Sequence, residues 1–266
     1  MTSVTAKDVQ ALRQATGAGM MDAKRALQES GGDPEAATRW LRERGLAQSA
    51  KRADRTNVDG AVAVATQGRA AAVVELKSET DYVAKSPEFT ALADELAVAV
   101  ASGGEEAAAG RSDDVDTLRV KLKENIELGR VVRFEAVDGA VLDTYLHRQG
   151  GRGVVGVVVE LVGGDERLAH EVALHVAAMQ PEWVSRDDVP PDRVAAEREV
   201  LETLTRNEGK PEQAIPKIVE GRLGGFFKDR GGALLEQPFV RDPKQTVQQV
   251  LGPARVTRFA RVAIGG

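Results

Sequence analysis

The amino-acid sequence predicts an α+β protein in three parts: a small three-helix bundle, a duplicated core of two antiparallel-sheet subdomains, and a helical hairpin inserted into the second subdomain. Three observations carry that reading. Glycine-punctuated amphipathic segments fill the first 45 residues. Asp59-Gly60-Ala61-Val62, Val73-Val74-Glu75-Leu76 and Ala93-Asp94-Glu95-Leu96-Ala97 return, in order, as Asp138-Gly139-Ala140-Val141, Val158-Val159-Glu160-Leu161 and Ala169-His170-Glu171-Val172-Ala173. Three matches in one order argue for a duplicated unit. Beyond Pro190 the strand-like alternation gives way to a helical stripe. The divisions are residues 1–45 for the helical module, 46–58 for a linker and 59–137 for the first core subdomain. Residues 138–189 open the second subdomain, 190–228 form the hairpin and 229–266 complete the second subdomain.

In the first module, Thr5-Ala6-Lys7-Asp8 has the spacing of a capping box. Val9 and Leu12 share a face of that helix, which Gly17 and Gly19 end. A second helix passes through Met20, Met21, Lys24 and Leu27 to Gly31-Gly32. Asp33-Pro34-Glu35 starts a third, with Asp as cap and Pro at the first helical position. It carries Trp40 and Leu41 and is expected to end at Gly45. A helix-turn-helix is the DNA-binding alternative, but positive charge does not concentrate on one face of the second and third helices. Residues 46–58 are polar and basic without sustained apolar periodicity, which reads as a linker.

Each core unit reads strand, tight turn, strand, helix, with turns at Gln67-Gly68-Arg69 and Gln149-Gly150-Gly151-Arg152-Gly153 and helices near 87–101 and 165–179. The copies differ where strand meets helix. After Leu161 the chain makes a short Gly163-Gly164-Asp165-Glu166 turn, whereas after Leu76 it carries Lys77-Ser78-Glu79-Thr80-Asp81-Tyr82-Val83-Ala84-Lys85. The sister copy manages with less, so 80–83 is the best candidate for added function. Two readings of Tyr82 stay open: a functional aromatic, or a ring packed on its own helix.

In the hairpin, Val194, Leu201 and Leu204, then Ile215, Ile218, Val219 and Leu223, form apolar stripes on two helices of about 17 residues, an antiparallel coiled coil. The arm buries little, and its stripe is expected to close on itself. In the tail, Phe239-Val240 reads as strand, Pro243 to Leu251 as a short helix and 255–262 as a half-buried strand.

Composition narrows the function. There are 36 Lys+Arg against 41 Asp+Glu, a net charge of −5, and no Cys. Thiolate zinc sites, cysteine nucleophiles and disulfide frameworks are excluded, and a mildly acidic chain makes a poor dedicated nucleic-acid binder. No apolar run reaches the ~18–20 residues of a membrane span, and the first residues hold no apolar signal segment, so a cytoplasmic protein without membrane contact is expected. Gly151-Arg152-Gly153-Val154-Val155-Gly156 fits a dinucleotide fingerprint, but a strand follows it where a helix is needed. His170 and His175 stand five apart, roughly 140° round a helix, and cannot share one metal. No catalytic constellation, resident metal or cofactor is expected, so the protein is not expected to be an enzyme.

Thr16-Gly17-Ala18-Gly19-Met20-Met21-Asp22-Ala23-Lys24, Glu79-Thr80-Asp81-Tyr82-Val83-Ala84-Lys85 and Tyr145-Leu146-His147 resemble the elongation factor Ts family. Lys210-Pro211 and Val219-Glu220-Gly221-Arg222 are similar to that family's hairpin. The resemblance spans the chain. It implies a guanine-nucleotide exchange factor that binds the GDP-bound and nucleotide-free forms of elongation factor Tu, displaces Mg²⁺ and releases GDP, without direct nucleic-acid contact. It also implies that Thr80, Asp81, Tyr82 and Val83 displace the partner's metal, that Leu12, Arg13, Met20, Met21 and Lys24 touch its GTPase domain, and that Leu122 and His147 face other parts of it. The alternative is a helical adaptor without exchange activity, since the first module shares the three-helix plan of ubiquitin-associated (UBA) domains. Three positions depart from the family pattern. Tyr82 replaces the usual Phe and Lys123 replaces a common Gly before Glu124-Asn125-Ile126. The chain also ends soon after Ile264, without the helical module found in some members.

Overall fold

A computed structural model describes residues 4–50 and 54–265. Residues 1–3 of the expected first module, 51–53 of the expected linker and 266 of the last division lie outside the described residues.

Helices α1 (Ala6–Thr16), α2 (Met20–Glu29) and α3 (Pro34–Ala50) form the first module. Asp8 Oδ2 accepts the Thr5 N–H at 3.0 Å, and the Asp8 N–H donates to Thr5 Oγ1 at 3.3 Å, so the capping box is closed. Gly17, at φ 68°, ends α1 in the left-handed conformation that glycine adopts at little cost. Asp33 Oδ1 accepts the Glu35 and Ala36 N–H groups at the start of α3. Val9, Leu12, Ala23, Ala26, Leu27 and Ala37 fill the bundle, with Trp40 and Leu41 half-buried beside them.

The third helix does not end at Gly45. It runs on to Ala50, so the expected linker begins as helix. The glycine has a different purpose: a Cβ there would lie 2.4 Å from Val120 Cγ1 in the later helix Ser112–Leu122. Gly45 therefore permits close packing of the module on the core, and Arg42 pairs with Asp113 at 2.9 Å across the same contact.

The core begins with the hairpin β1 (Asp59–Gln67) and β2 (Ala70–Ser78). A one-turn helix α4 (Asp81–Ala84), α5 (Pro87–Gly103), α6 (Glu106–Ala109) and α7 (Ser112–Leu122) follow, and β3 (Glu127–Glu135) returns to make the antiparallel order β1-β2-β3. The second unit repeats the plan with β4 (Ala140–Gln149), β5 (Arg152–Val162) and α8 (Glu166–Met179). After α9 (Pro191–Asn207), α10 (Ile215–Lys228), the small ribbon β6 (Pro238–Phe239) and β7 (Asp242–Thr246), and α11 (Val247–Leu251), strand β8 (Arg255–Ala263) completes the order β4-β5-β8. Strand β3 was not anticipated; it gives the first sheet the third strand that β8 gives the second.

The sheets lie back to back with helices outside. Val62, Val73, Val158, Ala260 and Val262 meet between them. Val74, Leu76, Phe89, Leu96 and Leu118 fill the layer under α5 and α7, and Val157, Val159, Val172 and Val176 the layer under α8. Each Val, Leu or Phe among them contributes ~1.5–3 kcal/mol by leaving water. The glycines that mimic a nucleotide fingerprint are explained here. Gly151 turns the hairpin at φ 86°, a Cβ on Gly153 would meet the Val62 carbonyl oxygen, and one on Gly156 would lie 2.6 Å from Val62 and Val73 across the sheets.

The repeated Val-Val-Glu-Leu also acquires a reason. Glu75 and Glu160 each face a β-bulge on the neighbouring third strand. Glu75 accepts the Arg130 N–H at 3.0 Å. Glu160, 2% exposed, accepts the Thr257 hydroxyl at 2.5 Å, the Arg258 guanidinium at 2.9 Å and the Val137 N–H at 3.3 Å.

Two tail and arm expectations need correction. Residues 243–246 form strand rather than helix; Pro243, lacking an N–H, sits in the short edge ribbon, and the helix starts only at Val247, with Thr246 as its cap and Gln249 completing the capping box. Helix α10 spans 14 residues, because Glu212–Ala214 form a separate 3₁₀ turn after Pro211. The arm's stripe also does not close on itself. Leu223 and Phe227 pack with Trp183 and Val189 of the body. Arg198 and Glu220 pair at 3.0 Å above that base. Replacing 202–219, which keeps Leu201 on that base, with a short Gly/Ser linker is therefore expected to leave cooperative thermal unfolding intact by calorimetry. Replacing 191–227, which uncovers Trp183 and Val189, should lower the midpoint clearly.

Candidate functional site

The segment 79–85 leaves β2 and turns at once into α4. Thr80 is its cap residue, with Oγ1 accepting the Val83 N–H at 3.3 Å. Val83 and Ala84 are buried in the first core layer, which pins one side of the turn. Asp81 pairs with Lys85 at 2.5 Å; that hydrogen bond, with the Lys85 charge, holds the Asp81 carboxyl below its ordinary value. Tyr82 points away from all of this, with 83% of its surface exposed. The ring does not pack on its own helix.

Residues from elsewhere brace the turn. Glu124 accepts the Thr80 N–H at 3.1 Å and the Thr80 hydroxyl at 2.5 Å. Glu79 accepts the Asn125 N–H at 2.7 Å and pairs with Arg55 at 3.1 Å. Asn125 in turn donates to the Arg55 carbonyl at 3.1 Å. Sequence reasoning missed Arg55, Glu79, Glu124 and Asn125 as supports. The available signal was Val83 at the third helical position, where a capping carboxylate is usual and an apolar residue must be supplemented.

Lys123, the position without its usual glycine, ends α7 at φ 61° and ψ 27°. A side chain there carries the steric cost of left-handed backbone, ~1–2 kcal/mol, partly returned through the stiffer unfolded chain. Lys123→Gly is expected to raise stability by about 0.5–1 kcal/mol in chemical denaturation, against the usual destabilising sign for glycine.

The remaining predicted residues fall in two places. Arg13, Met20, Met21 and Lys24 are exposed on the first module, the two methionines at 62% and 74%. Leu12 is not on that surface. It is 4% exposed in the bundle core, because its face of α1 is the apolar one, and it supports the exposed residues from beneath. Leu122 is half-buried against the first core layer. His147 is exposed on β4, with Nδ1 3.3 Å from the Tyr145 hydroxyl, at a hollow of about 430 Å³ lined also by Val155, Leu174, Val240 and Arg241. The structure brings Thr80 to Val83 together but gathers no cluster joining them to Met20 or His147.

The helical histidines have separate tasks. His170 contacts Asp143 at 3.0 Å. His175 is buried, accepts the Val240 N–H at Nδ1 and meets Gln237 Oε1 at 3.0 Å through Nε2, and burial pushes its pKa down. A neutral ring protonated on Nε2 satisfies both bonds. No group of three or more His, Asp or Glu arranged to hold a metal occurs among the described residues, and none of their helices is long and apolar enough to cross a membrane.

The family model described as elongation factor TS matches residues 79–266, which contain the braced turn and both sheets' closing strands. Over its whole length the chain is similar to elongation factor Ts of Mycobacterium avium, 46% identical with 99% of that protein covered. It is likewise similar to those of Thermobifida fusca, at 45% with 99% covered, and Clavibacter michiganensis, at 46% with all of it covered. The braced turn presents one exposed aromatic, Tyr82, on a scaffold of two three-stranded sheets and their helices. The chain belongs to the elongation factor Ts family of translation elongation factors. Its role is accordingly in protein biosynthesis.

Proposed function

We propose that this protein is a guanine-nucleotide exchange factor for elongation factor Tu, binding its GDP-bound and nucleotide-free forms in the cytoplasm without performing bond chemistry itself. The observation that carries the proposal is Tyr82: a large ring, 83% exposed, on a turn that the core and two carboxylates hold still. In this reading Thr80, Asp81, Tyr82 and Val83 disturb the partner's Mg²⁺ site. Tyr82 wedges between elements of the GTPase domain, Asp81 adds negative charge, and Thr80 and Val83 fix the turn. Metal and phosphate hold each other by close charge, so displacing the metal weakens GDP binding.

Magnitudes limit what the wedge does alone. Burying one aromatic ring contributes roughly 1.5–3 kcal/mol, one to two powers of ten in affinity. Other contacts must add to it. Arg13, Met20, Met21 and Lys24 offer a mixed apolar and basic surface on a UBA-like first module, with Leu12 behind it. Leu122 and His147 meet other parts of the partner, and the arm is a coiled coil. The test is release of a labelled GDP from purified elongation factor Tu with this protein present and absent. Marked acceleration at catalytic amounts is the expected result; release at the spontaneous rate would overturn the proposal.

A further inference from the structure

Helix α4 has its Thr80 cap but lacks the reciprocal capping box that α1 possesses. In α1 the cap residue Thr5 and the residue three further on, Asp8, satisfy each other. In α4 the corresponding third position is Val83, which is committed to the core and has no group to offer the cap. Glu124 fills that role from the loop between α7 and β3. Its two oxygens take the two donors of Thr80, the N–H at 3.1 Å and the hydroxyl at 2.5 Å. With its proton committed to Glu124, Thr80 Oγ1 keeps a lone pair for the Val83 N–H. Glu79 ties the same loop from the other side through the Asn125 N–H at 2.7 Å. The reciprocal box of an ordinary helix start is here completed by a residue 44 positions away.

From this geometry we infer that Glu124 is a positioning residue for exchange. It acts through Thr80, holding α4 in the orientation that presents Tyr82, and need not touch the partner itself. The inference rests on the exchange-factor reading above. A single helical turn has no stability of its own, because nucleation is unfavourable until several residues are fixed. Tyr82 receives no help from the core. Its direction therefore depends on Val83 and Ala84 at one end and on the Thr80 cap at the other. Loss of the cap leaves the surrounding layers intact while the ring samples other directions. The deficit then falls on the step that needs the ring placed, rather than on docking through other surfaces.

Glu124→Ala is expected to keep the dissociation constant for nucleotide-free elongation factor Tu within about twofold, while lowering the maximal rate of GDP release about fivefold to tenfold. Glu124→Gln, which retains an acceptor oxygen, should recover much of the loss. Thr80→Val should lose a similar factor, and the Thr80→Val, Glu124→Ala double variant no more than either single one. A readout without the partner accompanies these. The chain has two tyrosines, so 3-fluorotyrosine labelling gives two ¹⁹F resonances, assigned with Tyr145→Phe. The Tyr82 resonance should shift in Glu124→Ala, and in Glu124→Gln to a lesser degree. An unchanged resonance, independent losses in the double variant, or weakened docking would make Glu124 something other than a positioning residue and overturn the inference. If the wild type fails to accelerate GDP release, the exchange-factor reading falls by itself, and the ¹⁹F comparison still decides whether Glu124 fixes the ring.

Discussion

The Asp81→Ala, Tyr82→Ala double variant is expected to dock on elongation factor Tu yet stimulate GDP release at least ~tenfold less than wild type, a difference of ~1.4 kcal/mol or more at the barrier. Both side chains are well exposed: Tyr82 touches none of the core layers and Asp81 pairs with Lys85 on the same turn. Removing them leaves Val83, Ala84 and the Thr80 cap in place, so the melting temperature should hardly move. In the proposed mechanism their contacts with the partner form mainly in the state whose metal site is disturbed, and contacts confined to that state alter rate more than ground-state affinity. Tyr82→Phe should behave as wild type, since a hydroxyl this exposed loses little when replaced. Added Mg²⁺ should oppose the wild-type protein and leave the double variant nearly indifferent. Stopped-flow release of a fluorescent GDP analogue measures each case, and undiminished stimulation by the double variant would sink the wedge.

How much of this was readable beforehand depends on the range of the forces involved. Local signals read well. The Thr5–Asp8 box, the left-handed Gly17, the two hairpin turns and the helices after each are set by residues within a few positions of one another. The insertion at 80–83 was visible because the repeat supplied an internal reference. Failures came where a distant partner decided the outcome. Gly45 has the sequence signature of a helix stop, yet Val120 needs its missing side chain, and the helix passes through. Leu12 was carried to the surface by resemblance, whereas its position on the face shared with Val9 assigns it to the bundle. Strand β3 lacks clean alternation because its bulge at Gly129 and Arg130 accommodates Glu75. The brace on Thr80 comes from Glu124, whose relation to the turn exists only after α5 to α7 have folded between them.

Glu160→Ala should produce the largest loss of stability of any single change considered, about 3 kcal/mol. Breaking a buried pair from one side typically costs ~3–5 kcal/mol, and the lower end applies because Arg258 remains 42% exposed and can regain water. The damage reaches beyond one ion pair. Glu160 joins the second repeat to the bulge on β8 through Thr257 and Arg258, and to the connection between the two sheets through the Val137 N–H. Glu160→Gln keeps the shape and one acceptor, so about 1–2 kcal/mol is expected. Acidity separates this role from simple packing. Burial pushes the Glu160 carboxyl up, but Arg258, Thr257 and the Val137 N–H more than offset it and hold the pKa below the ordinary 4.5. A depressed carboxyl contributes stability that is present above pH 4.5 and lost as the pH falls below it. His175 acts in a higher window. Its folded pKa lies below the ordinary 6.5, so the unfolded chain takes up the proton first and stability declines as the pH falls below 6.5. Urea unfolding followed from pH 7.5 to pH 3.5 should therefore show two declines in the wild type. Glu160→Gln should keep the first and flatten the second. A variant that retained the full loss below pH 4.5 would show that other carboxylates govern acid unfolding, and that Glu160 serves the sheets only by filling space.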